Sequence, residues 1–314
     1  MHRRPKHRRM PGVQRAALAA VALALLALGA AAAEDHADRR ACEAGDAARC
    51  HAYADAHYYG RDGLPQSYAR AATWYDRGCR AGYLPSCTDL GVLYSDGKGV
   101  ERSDATAFEL LSRACDGEEA AGCTNLGYLH SHGLGVAQSD AKARALYRRG
   151  CDGGSGRGCV NLGYLMVKGR GAPAAPAEAA VLYRRGCDLG HVAGCTNLGV
   201  LHEEGNGVAQ SDAEAQRLYR FGCEGGDPMG CANLGVLYER GQGVEKSFAE
   251  ARQLYARACA DDDARGCAYL GDLVETGKGG PADRARAITL YRRGCDGGED
   301  YGCRALERLG VAGS

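Results

Sequence analysis

The sequence predicts an all-α protein, built as a stack of about seven helix hairpins of 36 residues each. Three observations support this fold class. A segment of the form G-C-x-N-L-G-x-L…L-Y-x-x-G-C recurs every 36 residues, as in 122–151, 158–187 and 194–223. A fixed period of this length is typical of helical repeat arrays. Each repeat carries two apolar patterns at helical spacing, and no strand pattern interrupts them.

The cysteines follow the same period. Seven of them stand 36 residues apart, seven more follow each of these by eight positions, and an eighth pair lies one residue out of step near the N-terminus. The pairs are Cys42 and Cys50, Cys79 and Cys87, Cys115 and Cys123, Cys151 and Cys159, Cys187 and Cys195, Cys223 and Cys231, Cys259 and Cys267, and Cys295 and Cys303. All 16 cysteines belong to a pair.

Residues 1–33 have the pattern of a secretory signal peptide. Basic residues occupy the first part of this segment, an apolar run covers 16–30, and Ala31-Ala-Ala33 supplies small residues before a cleavage site. The apolar run is too short to span a membrane. We therefore predict an exported chain that begins at Glu34 and is periplasmic or secreted. Residues 34–66 would form a partial N-terminal capping repeat, and 67–314 the repeat array with its C-terminal cap.

The charge balance argues against a nucleic-acid partner. The full chain has 39 basic and 39 acidic residues, but residues 1–33 contain six of the basic ones and no acidic one. The mature chain is therefore acidic, and it has no basic stripe of the kind that binds phosphate backbones. Nothing after residue 33 is long and apolar enough to span a membrane.

The first helix of each repeat, which we call helix A, ends at the first cysteine of a pair. Serines stand where an N-cap belongs, namely at Ser67, Ser103, Ser139, Ser211 and Ser247. Ser211 with Glu214, and Ser247 with Glu250, have the spacing of capping boxes, in which the glutamate also bonds the serine N–H. Two alanine columns of helix A, from Ala69 to Ala285 and from Ala71 to Ala287, indicate close approach of neighbouring helices. Arginines in the last turn favour the negative end of the helix dipole.

The second helix, helix B, starts at the second cysteine of each pair. A glycine recurs within it, from Gly91 to Gly271, although glycine disfavours helices, which indicates close contact with another helix. The G-x-G-V segment that follows, as in Gly133–Val136, predicts a left-handed helix stop. A phosphate-binding loop is the alternative, but the lysine–serine pair and the preceding strand of such loops are missing.

Spacing also indicates what the cysteines do. One cysteine ends helix A, and the next, eight residues on, opens the antiparallel helix B, so their Cα atoms can come within about 5.5 Å, as a disulfide requires. Cysteines in a chain with a signal peptide most often form disulfides. Zinc is the alternative, but C-x-x-C spacing is absent and each site would offer two sulfurs only. We predict eight disulfides, each within one pair.

The repeat resembles that of the Sel-one-like repeat family, which is related to tetratricopeptide repeats. The shared motif is G-C-x-N-L-G-x-L…G-x-G-V…A-x-x-L-Y-x-R-G-C, over residues 42–306. With cysteines eight apart, the chain is similar to the Helicobacter cysteine-rich protein subfamily. This resemblance implies a right-handed α/α superhelical solenoid of disulfide-stapled hairpins, with the N-L-G helices on the concave face. It also implies penicillin binding with weak β-lactamase activity, although a respiratory-assembly factor shares the design.

Serine β-lactamases use S-x-x-K, with the lysine one turn along a helix from the nucleophile. Two matches are present, Ser95 with Lys98 and Ser139 with Lys142. Ser95 stands at a helix end beside glycine, and Ser139 is a predicted N-cap. The S-D-N and K-T-G motifs that complete such sites are missing. We interpret all four residues as cap and loop residues, so no catalytic constellation is predicted.

The histidines do not predict a metal site. His130-Ser-His132 lacks the further histidine and aspartate that such sites need. His130 and His202 share a column with Tyr94 and Met166, which indicates a packing position. We expect neither a metal nor a cofactor.

The strongest candidate for a binding site is an asparagine column on helix B: Asn125, Asn161, Asn197 and Asn233, with Asp89 before it and Tyr269 after it. Asparagine is a poor helix former, so its recurrence needs a reason. Its amide donates and accepts at once, which suits a peptide backbone. Alternatively, each asparagine bonds a neighbouring helix or loop and fixes the register of the stack.

These observations predict an exported, disulfide-stapled scaffold that binds a protein or peptide in the cell envelope. The alternative, by resemblance, is a penicillin-binding protein with weak β-lactamase activity. The expected ligand is a protein or peptide segment on the concave face, with a β-lactam or a peptidoglycan-like peptide as further candidates.

Overall fold

The computed structural model describes residues 37–311, so the predicted signal peptide lies outside the described residues. All regular structure in this range is helical. The first helix, α1, covers residues 37–43. The helices B are α2 (Ala47–Tyr59), α4 (Leu84–Asp96), α6 (Ala120–His132), α8 (Gly156–Val167), α10 (Ala193–Glu204), α12 (Pro228–Arg240), α14 (Ala264–Thr276) and α16 (Asp300–Arg308). The helices A are α3 (Tyr68–Arg80), α5 (Asp104–Asp116), α7 (Asp140–Asp152), α9 (Pro176–Asp188), α11 (Asp212–Glu224), α13 (Phe248–Ala260) and α15 (Arg284–Asp296).

The described chain forms two compact units. The first contains the residues up to Asn125 together with Leu134–Ala137, and the second contains Leu126–Gly133 and the residues from Gln138 onward. In the second unit, each helix packs on its neighbours in sequence, and helices B of successive hairpins also contact each other, as α8 does with α10 and α12 with α14.

Eight disulfides join the end of one helix to the start of the next. Each links cysteines eight residues apart, with Cα atoms separated by 4.4 to 4.9 Å. No free cysteine is present within residues 37–311. The predicted all-α array of disulfide-stapled hairpins is therefore confirmed.

Helix A begins as the sequence predicts, but only one half of the capping box forms. The Ser211 hydroxyl accepts a hydrogen bond from the backbone N–H of Glu214 at 3.2 Å. The predicted second bond, from the Ser211 N–H to the Glu214 carboxylate, does not form. That carboxylate accepts from Arg217 instead. The reason is that the Ser211 N–H already donates to the carbonyl of His202 on the preceding helix B. Ser247 likewise donates to Tyr238, so the Glu250 half of its box is missing as well.

The glycine column of helix B makes the close contact that the sequence predicts. A Cβ added at Gly199 would lie 2.7 Å from the ring of Tyr219, on the helix A that follows in the chain. Tyr219 is fully buried, as are Tyr255 and Tyr291 at the equivalent positions. Only a hydrogen at the glycine lets the tyrosine ring lie flat against helix B, so glycine is required despite its poor helix propensity.

The G-x-G-V loop ends helix B and packs on the preceding helix A. Gly205 has a φ of 66° and closes α10 in the left-handed conformation, as predicted for a helix stop. Gly207 also has a positive φ, and a Cβ there would lie 2.4 Å from the backbone of Ala177. The second glycine thus permits close approach of the loop to the first turn of α9, which explains the motif without a bound phosphate.

The last-turn arginines act on a neighbouring helix A. Arg257 donates to the carbonyl of Cys223 at 2.8 Å, and Arg293 donates to that of Cys259 at 2.6 Å. These carbonyls belong to the C-terminal turn of the preceding helix A. The arginines therefore satisfy the negative end of the neighbouring dipole and tie successive hairpins together.

Candidate functional site

A cleft of about 610 Å³ opens among the helices B of the second unit. This volume lies within the range usual for ligand sites. We call it the B-face cleft. It is lined by Tyr164, Val167, Lys168, Tyr183, Asn197, Val200, Leu201, Glu203, Glu204, Tyr219, Met229, Asn233, Gln242 and Arg265. Its residues come from four successive hairpins, because α8, α10 and α12 present equivalent positions to the same side and α14 adds Arg265.

Two members of the predicted asparagine column, Asn197 and Asn233, line this cleft. Asn161 is half-buried one hairpin earlier, at the same position on helix B. Within residues 37–311, the side chains of these three asparagines make no hydrogen bond. Asn125 belongs to the first unit, and it does interact with another residue. The proposed bonds to neighbouring helices are therefore not made by the three amides of the second unit.

Buried tyrosines of helix A supply a second feature of the cleft, which the sequence analysis did not identify. The Tyr219 hydroxyl donates to Glu203 at 2.6 Å, and Tyr255 and Tyr291 donate in the same way to Glu239 and Glu275. In every case the glutamate precedes the tyrosine by 16 residues. The signal was present in the 36-residue spacing of the three glutamates. The first of these bonds holds the Glu203 carboxylate in place at the wall of the cleft, and the other two hold equivalent carboxylates on the two helices B that follow.

The electrostatics of the cleft are mixed. Burial, together with the bond to Glu203, raises the pKa of Tyr219, so this hydroxyl stays a donor throughout the physiological range. Glu203 and Glu204 place negative charge at the wall, and Lys168 and Arg265 place positive charge there. In the described part of the chain, neither Lys168 nor Arg265 forms an ion pair. The cleft therefore offers charged groups of both signs and two free amides to a ligand.

The weak catalytic candidates lie elsewhere. The Ser139 hydroxyl accepts from the backbone N–H of Lys142 at 3.3 Å and caps α7. Ser95 is in the last turn of α4, and the Lys98 ammonium pairs with Asp96 at 2.9 Å. None of Ser95, Lys98, Ser139 and Lys142 lines the B-face cleft. Nothing in this arrangement supports the β-lactamase alternative.

Of the histidines in the His130-Ser-His132 segment, the first is buried and the second is exposed. His130 is 6% exposed, and the His132 ring stacks on Tyr128 with a centroid distance of 4.0 Å. A different histidine, His51, lies beside Asp55 and Asp89 in the first unit, and these three side chains can converge on one metal ion. The sequence analysis missed this group because its members are up to 38 residues apart.

Asp89 has an unusual environment in that group. Burial, reinforced by the carboxylates of Asp55 and Glu119, raises the pKa of Asp89 to about 7. Burial lowers the pKa of His51, against the opposing influence of Asp55. Near neutral pH the imidazole therefore favours its uncharged form.

Two general properties follow from the described residues. Eight disulfides indicate an oxidising, non-cytosolic location, because cytosolic thiols are kept reduced. Within residues 37–311, no helix combines the length and the apolarity that crossing a membrane requires.

The hairpin geometry, the regular disulfides and the tyrosine–glycine contacts define a disulfide-linked, TPR-like helical repeat protein. The Sel1 repeat model matches seven consecutive segments, 50–83, 84–118, 120–155, 156–191, 192–227, 228–263 and 264–299. The chain therefore belongs to the Sel1 repeat family, and the resemblance stated from the sequence is confirmed.

Solved structures that are similar to this chain come from several bacteria. The chain is 26% identical to c5321, a protective antigen of uropathogenic Escherichia coli with an SLR fold. The TM-score is 0.65, and the match covers 87% of this chain and 58% of that one. A Sel1 repeat protein from Oxalobacter formigenes is 22% identical, with a TM-score of 0.65 and coverage of 71% and 92%. Helicobacter pylori cysteine rich protein B is 28% identical over 41% of this chain and 92% of its own, with a TM-score of 0.35. No curated protein sequence matches the chain.

Proposed function

We propose that this protein is an exported scaffold of the bacterial cell envelope that binds an extended peptide segment of a partner protein in the B-face cleft. The carrying observation is the pair of half-buried amides, Asn197 and Asn233, which have no intramolecular hydrogen bond and lie one repeat apart in the cleft. A polar group that folding has partly desolvated gains most from a ligand that satisfies it.

The regular spacing supports a peptide over a compact small molecule. Each hairpin presents the same position of helix B, so the amides recur in a row, and a peptide backbone repeats its own donors and acceptors along its length. The exposed ring of Tyr164 and the side chain of Val200 add apolar surface beside the amides. Helices B contact each other across hairpins, which is the arrangement expected on the inner side of a curved stack.

Export and envelope location rest on two independent features. Residues 1–33 have the signal-peptide pattern, and the eight disulfides require an oxidising compartment. A pull-down from envelope extract under oxidising conditions identifies the partner, and the binding segment is then made as a synthetic peptide.

The test compares variants with that peptide. Asn197→Ala and Asn233→Ala should each weaken binding by about 1–2 kcal/mol, or roughly tenfold, because each strands a backbone group of the ligand. The melting temperature should change little, since neither amide bonds another part of the protein. Gln253→Ala, on the exposed side of helix α13, is the matched control and should bind as the parent does.

Two outcomes count against the proposal. In the first, both asparagine variants bind the peptide with unchanged affinity, which would remove the cleft from the binding site. In the second, the variants melt at a sharply lower temperature and keep their affinity. The asparagines would then fix the register of the hairpins, and the binding surface would lie elsewhere.

A further inference from the structure

Three metal-ligating side chains converge in the first unit. His51 and Asp55 stand one turn apart on α2, and Asp89 lies on the neighbouring α4. Each offers one ligand atom, and the three atoms lie within 4.8 Å of one another. A carboxylate oxygen of Asp55 is 3.6 Å from Nε2 of His51, and one of Asp89 is 3.8 Å from Nδ1. Because the two carboxylates face different ring nitrogens, one of them must turn toward the nitrogen that binds the ion.

Surrounding residues hold these side chains in place. The Tyr75 hydroxyl donates to Oδ1 of Asp55 at 2.5 Å, while Oδ2 of Asp55 faces His51. The Ser86 hydroxyl lies 3.3 Å from Nδ1 of His51. The rings of Tyr75 and Tyr83 flank the imidazole, with centroid distances of 5.4 and 5.2 Å. Hydrogen bonds to the ligands from an outer shell are characteristic of protein metal sites.

The group of His51, Asp55 and Asp89 has more acidic than basic side chains. Asp55 and Asp89 are partly buried, and in the described chain no lysine or arginine forms an ion pair with either. A single imidazole faces both carboxylates, and Glu119 adds further negative potential. Two carboxylates held close together repel each other and favour a bound cation, and in the described chain no arginine or lysine pairs with either of them.

We propose that His51, Asp55 and Asp89 bind one divalent transition-metal ion of the zinc class. An imidazole ligand selects zinc and its neighbours over calcium and magnesium, which prefer oxygen ligands alone. Three protein ligands leave at least one position open to water or to an anionic ligand. The side chains of Asp55 and Asp89 are 39% and 43% exposed, so this position is accessible from solvent.

The experiment titrates Zn²⁺ alone into the oxidised full-length protein by isothermal titration calorimetry at neutral pH. We expect one high-affinity ion per chain. His51→Gln and Asp89→Asn should each weaken its binding at least tenfold. Tyr75→Phe keeps all three ligands but removes the outer bond to Asp55, and should weaken binding about tenfold. His191→Gln, a half-buried histidine of the second unit, is the matched control and should keep the site intact.

Circular dichroism establishes that each variant is folded, and Asp55→Asn replaces any ligand variant that is not. Zn²⁺ should also raise the melting temperature of the parent, and not that of Asp89→Asn. The proposal is wrong if the parent binds no Zn²⁺, or if the ligand variants bind it as tightly as the His191→Gln control. In either case the group is a direct contact between His51 and its two carboxylates.

Discussion

In this chain, a residue whose sequence context resembles a catalytic motif can instead serve in packing or in helix capping. Ser139 illustrates this, because its position in an S-x-x-K tetrapeptide resembles that of a nucleophile, whereas its hydroxyl caps α7. The same position is serine in most repeats, with Ser103, Ser211 and Ser247 making the same backbone bond. When a residue recurs at the same position of successive hairpins, its role in the structure of the hairpin is enough to explain it.

Replacing Ser139 by alanine should therefore affect stability and not catalysis. Loss of the cap should lower the free energy of unfolding by about 1 kcal/mol, measured by urea denaturation. Any trace hydrolysis of a chromogenic cephalosporin should be unchanged in Ser139→Ala and in Ser95→Ala. Loss of real turnover in either variant, with its circular dichroism spectrum intact, would revive the β-lactamase alternative.

At the scale of helices, periodic features could be predicted and non-periodic ones could not. The period predicts both helices of each hairpin, the serine caps, and a close contact at Gly199. It does not reveal that the partner there is the Tyr219 ring, because the partner of a small residue depends on how the helices cross. His51, Asp55 and Asp89 were missed as a group for a related reason: they lie on two successive helices B, α2 and α4, and no neighbouring repeat reproduces the group.

The bonds between tyrosine and glutamate allow a matched test of how a helix B is held to the helix A that follows it. Tyr219 donates to Glu203, but the equivalent Tyr183 has Val167 at the position of the glutamate. Tyr219→Phe should lower the free energy of unfolding by about 1.5 kcal/mol, because a charged acceptor loses its donor. Tyr183→Phe should change it by less than about 0.5 kcal/mol.

Equilibrium denaturation of the two variants measures this difference directly. Both substitutions remove one hydroxyl from a buried ring that lines the same cleft, so their effects on packing cancel in the comparison. Equal losses of stability would show that the carboxylate contributes nothing, and that glycine–tyrosine packing alone joins helix A to helix B.

At the scale of the whole molecule, stacking of the repeats compensates for the low stability of each single hairpin. Helix B contains a glycine in its middle, and a single hairpin cannot bury its own apolar face. Disulfides join successive helices at one end, arginines such as Arg257 bond the helix A of the preceding hairpin, and loop glycines pack on the helix A just before them. Each of these contacts joins residues that lie less than one repeat apart in the sequence. The 36-residue period therefore predicts the fold, whereas it does not predict the identity of the ligand.

Export and oxidation are coupled at this scale, and one experiment tests both. When the full chain is produced in a bacterium, the periplasmic form should begin at Glu34. Non-reducing peptide mapping should find only bridges between cysteines eight residues apart, such as Cys42–Cys50 and Cys295–Cys303. A chain that lacks residues 1–33 should stay in the cytosol with free thiols. It should melt at a lower temperature, since each small disulfide loop contributes about 2–3 kcal/mol. An exported chain that retains residues 1–33, bridges between different pairs, or an equally oxidised cytosolic chain would contradict this account.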